Sequence, residues 1–312
     1  MTAGGKVTDG RPRCSACASP AVIRLRDPDR HLCADHFLAG LTGRVHQTVV
    51  THGLISDGDR IAAAFSGGKD STALLLLLKE ILPAWRDVSL VAITIDEGIA
   101  GYRNETIQAA ERLVRDLRIE HRIVSFHDMF GKDLDTILAG REDRACSICG
   151  ILRRKAIASA ARDAGATRIA TGHNLDDEAQ SVLMNVLRGD ISRLLRTSSS
   201  PSGDCFIPRI KPLMEISEKE IAVYLAVRGL FPDLPECPYT RYALRAEVRS
   251  HLSGLEALYP GTMQRLIAGN VRLKEDLAGV PVERMITRCA ECGEPCSGTV
   301  CQTCRLIHKI LG

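Results

Sequence analysis

Short apolar segments alternate with longer segments of helical period through the middle of the chain. The predicted strands are residues 61–65, 90–95, 122–124 and 168–171. The predicted helices that follow them are residues 71–82, 104–117, 147–164 and 175–187. Strands that alternate with helices in this way form a parallel sheet covered by helices on both faces. The pattern therefore predicts an α/β fold that binds ligands at the carboxyl ends of its strands.

After residue 194 the pattern is less regular. A stretch rich in Ser and Arg at 194–204 leads to an extended piece at 206–213 and a helix at 217–228, and further helical segments run from about 241 to 277. Cysteine-rich segments lie at both ends of the chain. The four predicted domains are an N-terminal zinc module at 1–44, a Rossmann-like nucleotide-binding domain at 45–215, a helical extension at 216–285 and a C-terminal zinc module at 286–312.

Composition supports one large domain with smaller modules. The chain has 312 residues, of which 45% are hydrophobic, and this is enough for a sizeable core. A net charge of +3 gives no global argument for binding nucleic acid, so such an argument must come from local patches. The longest apolar run, 73–78, ends at Lys79, and the N-terminus has no apolar signal core. The sequence therefore predicts no membrane segment and a cytoplasmic protein with reduced cysteines.

The first predicted strand and its helix are joined by a glycine-rich hexapeptide: Ser66, Gly67, Gly68, Lys69, Asp70 and Ser71. Adjacent glycines let the backbone approach a ligand, and the helix N-terminus offers unpaired N–H groups to phosphates. Asp70 stands where a Walker A loop has Ser or Thr, so an acid lies where Mg²⁺ could bridge to the phosphates. The hexapeptide resembles the PP-loop of ATP pyrophosphatases, which split ATP into AMP and pyrophosphate. ATP and Mg²⁺ are therefore the expected ligands.

Two sets of four residues have the spacing of structural zinc sites. The N-terminal set is Cys14, Cys17, Cys33 and His36. The C-terminal set is Cys289, Cys292, Cys301 and Cys304, with Cys296 as an alternative ligand. Four ligands in two knuckles complete a tetrahedron around zinc and leave no open position. Because each end is too short to bury a core, we expect metal binding to supply its folding free energy.

A third set of cysteines has only three members. Cys146 and Cys149 lie at the start of a predicted helix, and Cys237 lies far downstream. Three thiolates could hold an iron–sulfur cluster with one exchangeable iron or a zinc with a bound water, and they could also act as a persulfide and resolving pair. The spacing alone leaves these alternatives open.

A second loop at the carboxyl edge of the predicted sheet contains Gly172. We expect Gly172 to lie against the adenine or ribose, and Ala64 and Ile95, at the ends of the first two strands, to form the adenosine slot.

The helix after this loop begins with Asn174, a good N-cap residue. Asp176, Asp177 and Glu178 fill its first turn, where acids complement the helix dipole. The sequence predicts this structural role for Asp176 and Glu178.

The combination of these motifs resembles the TtuA-type tRNA 2-thiouridine synthetases. The shared features are a PP-loop domain between a three-Cys, one-His module and a four-Cys module, the Cys-Ser-x-Cys-Gly segment at 146–150, a late third cysteine and the segment 172–177. They cover nearly the whole chain. The resemblance implies that Cys146, Cys149 and Cys237 bind a [4Fe-4S] cluster and that both zinc ions are structural.

The resemblance also assigns two further roles. It marks Asp177 as a catalytic acid or base, or as a carboxylate associated with magnesium, beside the α-phosphate. It places Arg153 at a basic position near the phosphates, where the family also has Lys. The implied reaction begins when the O2 atom of a uracil attacks the α-phosphate of ATP and releases pyrophosphate. Sulfur delivered through the cluster then displaces AMP and leaves 2-thiouridine.

Local clusters of basic residues support tRNA as the partner. Five cations against two acids surround the Cys146 pair: Arg141, Arg144, Arg153, Arg154 and Lys155 against Glu142 and Asp143. A second surplus consists of Arg188, Arg193, Arg196, Arg209 and Lys211 against Asp190 and Asp204. A third group, Arg241, Arg245 and Arg249, repeats every four residues along one helix face. Such clusters are suited to phosphate contacts, although a charged helix face is more often only solvated.

Other aspects of the function depend on the resemblance or stay open. A ubiquitin-like thiocarboxylated carrier or inorganic sulfide could supply the sulfur, and the resemblance makes a homodimer plausible. The zinc modules favour a T-loop or wobble uridine as the target, and the histidine in the N-terminal module points to the T loop. The alternatives are a PP-loop amide-forming ligase and a non-enzymatic zinc-containing protein that binds nucleic acid.

Overall fold

The computed structural model describes residues 12–26, 28–195, 207–230, 237–239, 244–277, 287–296 and 298–311. It begins with an antiparallel hairpin of strands β1 (Ile23–Arg26) and β2 (Asp29–Leu32), followed by helix α1 (Ala34–Thr51). Two of the basic residues proposed for RNA contacts, Arg196 and Arg241, lie outside the described residues.

Five parallel strands form the central sheet. They are β3 (Arg60–Ala64), β4 (Ser89–Asp96), β5 (Glu120–Ser125), β6 (Arg168–Ala170) and β7 (Arg209–Ile210). Their spatial order is β5-β4-β3-β6-β7. The chain adds β4 and β5 on one side of β3 and then crosses back to add β6 and β7 on the other side. This order confirms the predicted α/β fold with a parallel sheet. The crevice between β3 and β6 is the place where such sheets bind ligands.

The helices that alternate with these strands follow the sequence pattern closely. They are α2 (Lys69–Ile81), α3 (Arg103–Leu117), α6 (Ala145–Asp163) and α7 (Leu175–Leu187). Two short helices that the sequence analysis did not predict, α4 (Phe126–Phe130) and α5 (Leu134–Leu138), lie between β5 and α6. The remaining helices are α8 (Ile191–Leu194), α9 (Glu218–Val227), α10 (Leu244–Leu258) and α11 (Thr262–Asp276).

The apolar run at 73–78 lies in a helix that is buried on all sides. Its residues in α2 are at most 7% exposed, because α2 is enclosed by the sheet, α1 and α9. A helix that is apolar around its whole circumference is expected in the centre of a large core. No helix in the described part of the chain is both long enough and apolar enough to span a bilayer.

The two ends of the chain pack on opposite faces of the sheet. Helix α1 buries Phe37, Leu41, Val45 and Val49, one side chain per turn, in the core that contains α2. The C-terminal module consists of strands β8 (Thr287–Arg288) and β9 (Pro295–Cys296) and helix α12 (Gln302–Leu311), which packs on α6. The predicted domain limit at residue 44 therefore falls inside a continuous helix, α1.

A nucleotide-binding loop beside three cysteines

The loop at 66–71 leaves β3 at the predicted place and packs tightly against its neighbours. Gly67 has a φ of +84°, and a Cβ atom there would lie 2.8 Å from the carbonyl oxygen of Thr106 in α3. Both conditions require glycine. The Ser71 hydroxyl donates to the Gly68 carbonyl oxygen at 2.9 Å and accepts the Ser66 N–H at 3.2 Å. These hydrogen bonds fix the turn in which α2 begins, and no side chain caps that N-terminus within the described residues.

The loop after β6 meets this turn backbone to backbone. A Cβ atom on Gly172 would lie 3.0 Å from the carbonyl carbon of Asp70 and 3.1 Å from the nitrogen of Ser71. Close approach of the two loops is therefore sufficient reason for glycine at 172. Its contact with adenosine stays a prediction.

Ala64 and Ile95, which were expected to form the adenosine slot, differ in their burial and contacts. Ile95 is 4% exposed and its carbonyl oxygen accepts the Nε–H of Arg103 at 2.9 Å, while Ala64 is half-buried at the end of β3. The contact of Ala64 and Ile95 with adenosine also stays a prediction.

Lys69 is held between two carboxylates. Its Nζ lies 2.8 Å from Asp70 Oδ2 and 2.9 Å from Glu218 Oε1 in α9. Burial lowers the pKa of Lys69, but the hydrogen bonds to Asp70 and Glu218 outweigh this effect and raise the pKa above its usual value. The charged lysine is thus positioned at the helix N-terminus before any phosphate arrives.

The acids that begin α7 each have a structural partner. Asn174 and Asp177 form a reciprocal capping box, and Asp177 Oδ1 lies 3.0 Å from Arg245 Nη1. Asp176 accepts the backbone N–H of Glu218 at 2.8 Å, and Glu178 pairs with Lys211 at 2.6 Å. Burial is the main cause that raises the pKa of Asp176. These contacts agree with the structural role predicted for Asp176 and Glu178, whereas catalysis by Asp177 stays a prediction.

The arginine stripe assigned to RNA faces these same acids. Arg245 pairs with Asp177 and Arg249 pairs with Glu218. Each arginine therefore has an acidic partner near the nucleotide loop, and contact of this stripe with RNA stays a prediction.

A buried carboxylate that the sequence analysis did not single out connects the loop with the cysteines. Glu97, 3% exposed, lies directly after β4, with Oε1 2.7 Å from Arg153 Nε and Oε2 2.7 Å from Arg103 Nε. The Nε–H of Arg103 points to the Ile95 carbonyl oxygen, so Oε2 has no hydrogen-bond partner among the described residues. Its place at the carboxyl end of a strand was the signal that could have identified Glu97.

The two arginines extend this connection in both directions. Arg103 Nη1 donates to the Ser66 carbonyl oxygen at 3.1 Å, and Arg153 Nη2 lies 3.2 Å from Cys149 Sγ. A short chain of polar contacts therefore runs from the nucleotide loop through Glu97 to a cysteine of the third set.

The fold brings the three cysteines of this set to one place. Cys149 is buried in α6, Cys146 is exposed in the first turn of α6, and Cys237 is half-buried against the same core. Cys237 interacts electrostatically with both other thiols and with Arg153. Burial raises the pKa of Cys149 to about 11, and the Arg153 charge opposes this effect.

The spacing of these three sulfurs differs from that of a single-ion site. Among the described residues, they are not one of the ligand groups whose atoms all lie within 4.8 Å of one another. A single tetrahedral ion with bonds of about 2.3 Å needs sulfurs about 3.8 Å apart. The wider arrangement fits a larger inorganic group better than one zinc ion, and the role of the three cysteines as cluster ligands stays a prediction.

Both four-residue sets do have single-ion geometry. In the N-terminal set, Cys17 Sγ lies 3.7 Å from Cys33 Sγ, and His36 Nδ1 lies 3.2 Å from Cys33 Sγ. In the C-terminal set, Cys292 Sγ lies 3.7 Å from Cys301 Sγ. These distances are close to the edges of a zinc tetrahedron. Each set could hold one metal ion.

Cys296 does not belong to the second set. Its thiol donates to the Gly298 carbonyl oxygen at 2.7 Å, and the four ligand atoms come from the residues that the spacing predicted. Cys296 therefore serves as an unliganded neighbour of this site.

The fold and the site together define a PP-loop protein with two four-ligand metal modules. Residues 42–252 match the model of a PP-loop domain, and residues 13–38 match that of the N-terminal LIM domain of the 2-thiouridine synthetase TtuA. The chain is 34% identical to the tRNA 2-thiolation protein NcsA of Haloferax volcanii, over 95% of this chain and 98% of the relative. The chain therefore belongs to the PP-loop family of tRNA 2-thiolation proteins.

Two further relatives agree with this family. The chain is 37% identical to the cytoplasmic tRNA 2-thiolation protein 1 of Bos taurus, over 96% of this chain and 88% of the relative. It also superimposes on the structure of the U34-tRNA thiolase NcsA from Methanococcus maripaludis with its [4Fe-4S] cluster, with a TM-score of 0.83 and 31% identity over 96% of both chains. The predicted resemblance to tRNA thiolases is confirmed at the level of this family.

Proposed function

We propose that the chain is an ATP-dependent tRNA-uridine 2-sulfurtransferase that converts ATP to AMP and pyrophosphate. The observation that carries this proposal is the polar chain from the Ser66 carbonyl through Arg103, Glu97 and Arg153 to Cys149. An amide-forming ligase has no need for thiols beside its nucleotide loop. A non-enzymatic nucleic-acid-binding protein needs neither the thiols nor the nucleotide loop.

The first step is adenylation of the base. The uridine O2 atom attacks the α-phosphate of ATP, and pyrophosphate leaves into the loop at 66–71. Lys69 and the N-terminus of α2 neutralise its charge, and Asp70 would hold a Mg²⁺ ion that bridges to the phosphates. Lys69 Nζ already lies between the carboxylates of Asp70 and Glu218. Phosphate oxygens can replace these carboxylates as its partners, so the lysine side chain needs to move little. Asp177, beside Arg245, acts at the α-phosphate.

The second step replaces oxygen with sulfur. A sulfur nucleophile forms a bond to C2, the C2–O2 bond breaks, and AMP leaves with the original O2 atom. Adenylation makes this possible because AMP is a far better leaving group than the oxygen of a carbonyl. The protein contributes mainly by holding the two reactants together.

Cys146, Cys149 and Cys237 fit the cluster that this chemistry uses. Three soft thiolate ligands at wider spacing than a zinc site suit a [4Fe-4S] cluster. When bound, such a cluster supplies one iron without a protein ligand, which can bind sulfur. The guanidinium of Arg153 favours the thiolate form of Cys149, which burial opposes.

The remaining parts of the proposal rest on the resemblance to the 2-thiouridine synthetases. The two four-ligand sets hold structural Zn²⁺, the protein acts in the cytoplasm as a homodimer, and a ubiquitin-like carrier or inorganic sulfide provides the sulfur. The similarity to a U34-tRNA thiolase supports the wobble uridine as the target over the T-loop uridine that the N-terminal histidine suggested.

An anaerobic assay with reconstituted protein tests the reaction. The protein is incubated with tRNA, ATP, Mg²⁺ and sulfide; pyrophosphate is measured, and mass spectrometry of nuclease fragments locates 2-thiouridine. We expect tRNA-dependent pyrophosphate release and sulfur at position 34. Sulfur only in the T loop would correct the target, and absence of both products would contradict the proposed activity.

A pair of cysteine variants gives this assay a matched control. Cys149→Ser removes a thiol from the proposed cluster site, whereas Cys296→Ser makes the same change at a cysteine outside all three ligand sets. We expect thiolation and the iron–sulfur absorption band to be lost only in Cys149→Ser. Equal behaviour of the two variants would argue for the ligase or the binding protein.

A further inference from the structure

A groove separates the first half of α6 from the C-terminal metal module. Its volume is about 670 Å³, a size that small-molecule pockets also have, so shape alone does not identify its ligand. Ser147 and Ile148, the neighbours of Cys146, form part of its wall on α6. Cys146 is exposed, but it is not among the residues that line the groove.

The unpaired charges along this groove are all positive. Arg144 lies on the α6 side, and Arg305 and Lys309 lie on α12. All three are exposed, and none of their side chains makes an ion pair or a hydrogen bond with the described residues. Their positive charges are therefore available to a ligand.

The carboxylate in the groove wall is already neutralised. Glu294 lies 2.7 Å from Lys155 Nζ and 3.0 Å from Arg162 Nη2, both on α6. Glu142 and Asp143 precede Arg144, but neither lines the groove. The acid in the wall thus fastens the module to α6 and leaves the three free cations uncompensated.

A second pair of cations extends this surface. Arg154 on α6 and Arg209 on β7 lie side by side, and Arg209 is within electrostatic range of Glu294. Burial, followed by repulsion from neighbouring arginines, lowers the pKa of both. Neither forms an ion pair with any residue in the described ranges. Two neighbouring positive charges attract an anion.

We propose that the groove between α6 and α12 binds the phosphate backbone of tRNA through Arg144, Arg305 and Lys309. This inference rests on the proposed function, which requires a tRNA substrate. A chain of phosphates matches a row of free cations across two walls, and such contacts position a nucleic acid without reading its sequence. The C-terminal metal module then serves as one wall of the substrate site.

Charge reversal in the groove tests this assignment. The affinity of the full, metal-loaded chain for tRNA is measured by filter binding at several salt concentrations, for the double variant Arg305→Glu/Lys309→Glu and for Arg144→Glu. We expect the double variant to bind tRNA at least about tenfold more weakly and to reduce the slope of log affinity against log salt by about two. Arg144→Glu should reduce the slope by about one.

The control reverses two cations on the opposite face of the sheet. Arg112 and Arg115 on α3 are exposed and unpaired within the described residues, and α3 packs in the core that excludes α6. Arg112→Glu/Arg115→Glu should bind tRNA like the unmodified chain. ATP binding and metal content verify that every variant is folded. If Arg305→Glu/Lys309→Glu loses its metal, the result for Arg144→Glu decides whether the groove binds tRNA.

The outcomes separate this inference from the proposed function. If the unmodified chain binds tRNA and both groove variants bind it equally well, the groove assignment is wrong and the cations serve another partner, such as an acidic protein. If the groove and control variants weaken binding equally, the effect is one of net charge and the assignment also fails. If the unmodified chain binds no tRNA, the proposed function itself fails.

Discussion

The two metal modules have similar ligand sets but different relations to the rest of the protein. Cys33 directly precedes α1, and α1 continues into the core with Phe37 and Val45 at most 1% exposed. The C-terminal module instead contacts α6 through half-buried apolar residues of α12 and through Glu294. The N-terminal ligand set thus lies at the start of a core helix, whereas the C-terminal set lies in a module that packs on α6.

Removal of one metal ligand from each module should give the largest contrast. Cys33→Ala removes a buried ligand at the start of a core helix, so we expect a loss of at least about 3 kcal/mol of unfolding free energy. Cys301→Ala should leave the main unfolding transition within about 1 kcal/mol and release the C-terminal metal. Denaturant unfolding and metal analysis measure both effects. Equal global destabilisation would remove the distinction between the modules.

Truncation of the two packing helices sharpens the comparison without touching a metal. Phe37→Ala in α1 leaves a cavity in the central core and should cost about 3–5 kcal/mol. Ile310→Ala in α12 removes a partly buried side chain and should cost about 1 kcal/mol. Denaturant midpoints with unchanged slopes give the two values. A larger cost at Ile310 would show that the C-terminal module is part of the main core.

The smallest expected effect concerns the ionic contact that fastens the second module. Glu294→Gln leaves Lys155 and Arg162 without a carboxylate, and because these groups are partly exposed we expect a loss of about 1 kcal/mol or less. Hydrogen exchange should become faster in the C-terminal module and stay unchanged in the N-terminal one. Faster exchange at α1 would contradict this local effect.

The sequence predicted the parts of the fold that have a strong local signal. Helix α7 begins and ends where the pattern placed it, because the Asn174 cap marks its start. Helices α4 and α5 were missed because five residues each are too short to display a helical period. The β1–β2 hairpin was missed because each of its strands has only four residues, although apolar and charged residues alternate along Ile23–Arg26.

In the candidate site, too, the sequence predicted the contiguous motifs and missed the contacts between distant residues. The loop at 66–71 and both four-ligand sets are contiguous motifs, and the sequence identified each of them. The partners of Glu97 and of Arg245 are set by packing between distant elements, which no local pattern encodes. The helical spacing placed Arg245 and Arg249 on one face, but it could not show that both pair with acids near the nucleotide loop.

Electron paramagnetic resonance tests most directly whether the nucleotide and the three cysteines share one site. The reconstituted, reduced protein is titrated with ATP in the presence of Mn²⁺ instead of Mg²⁺, and the relaxation of the cluster signal is recorded. We expect bound Mn²⁺–ATP to broaden this signal. The same addition should not broaden the signal of Lys69→Ala. A cluster signal unchanged by demonstrably bound Mn²⁺–ATP would contradict a shared site.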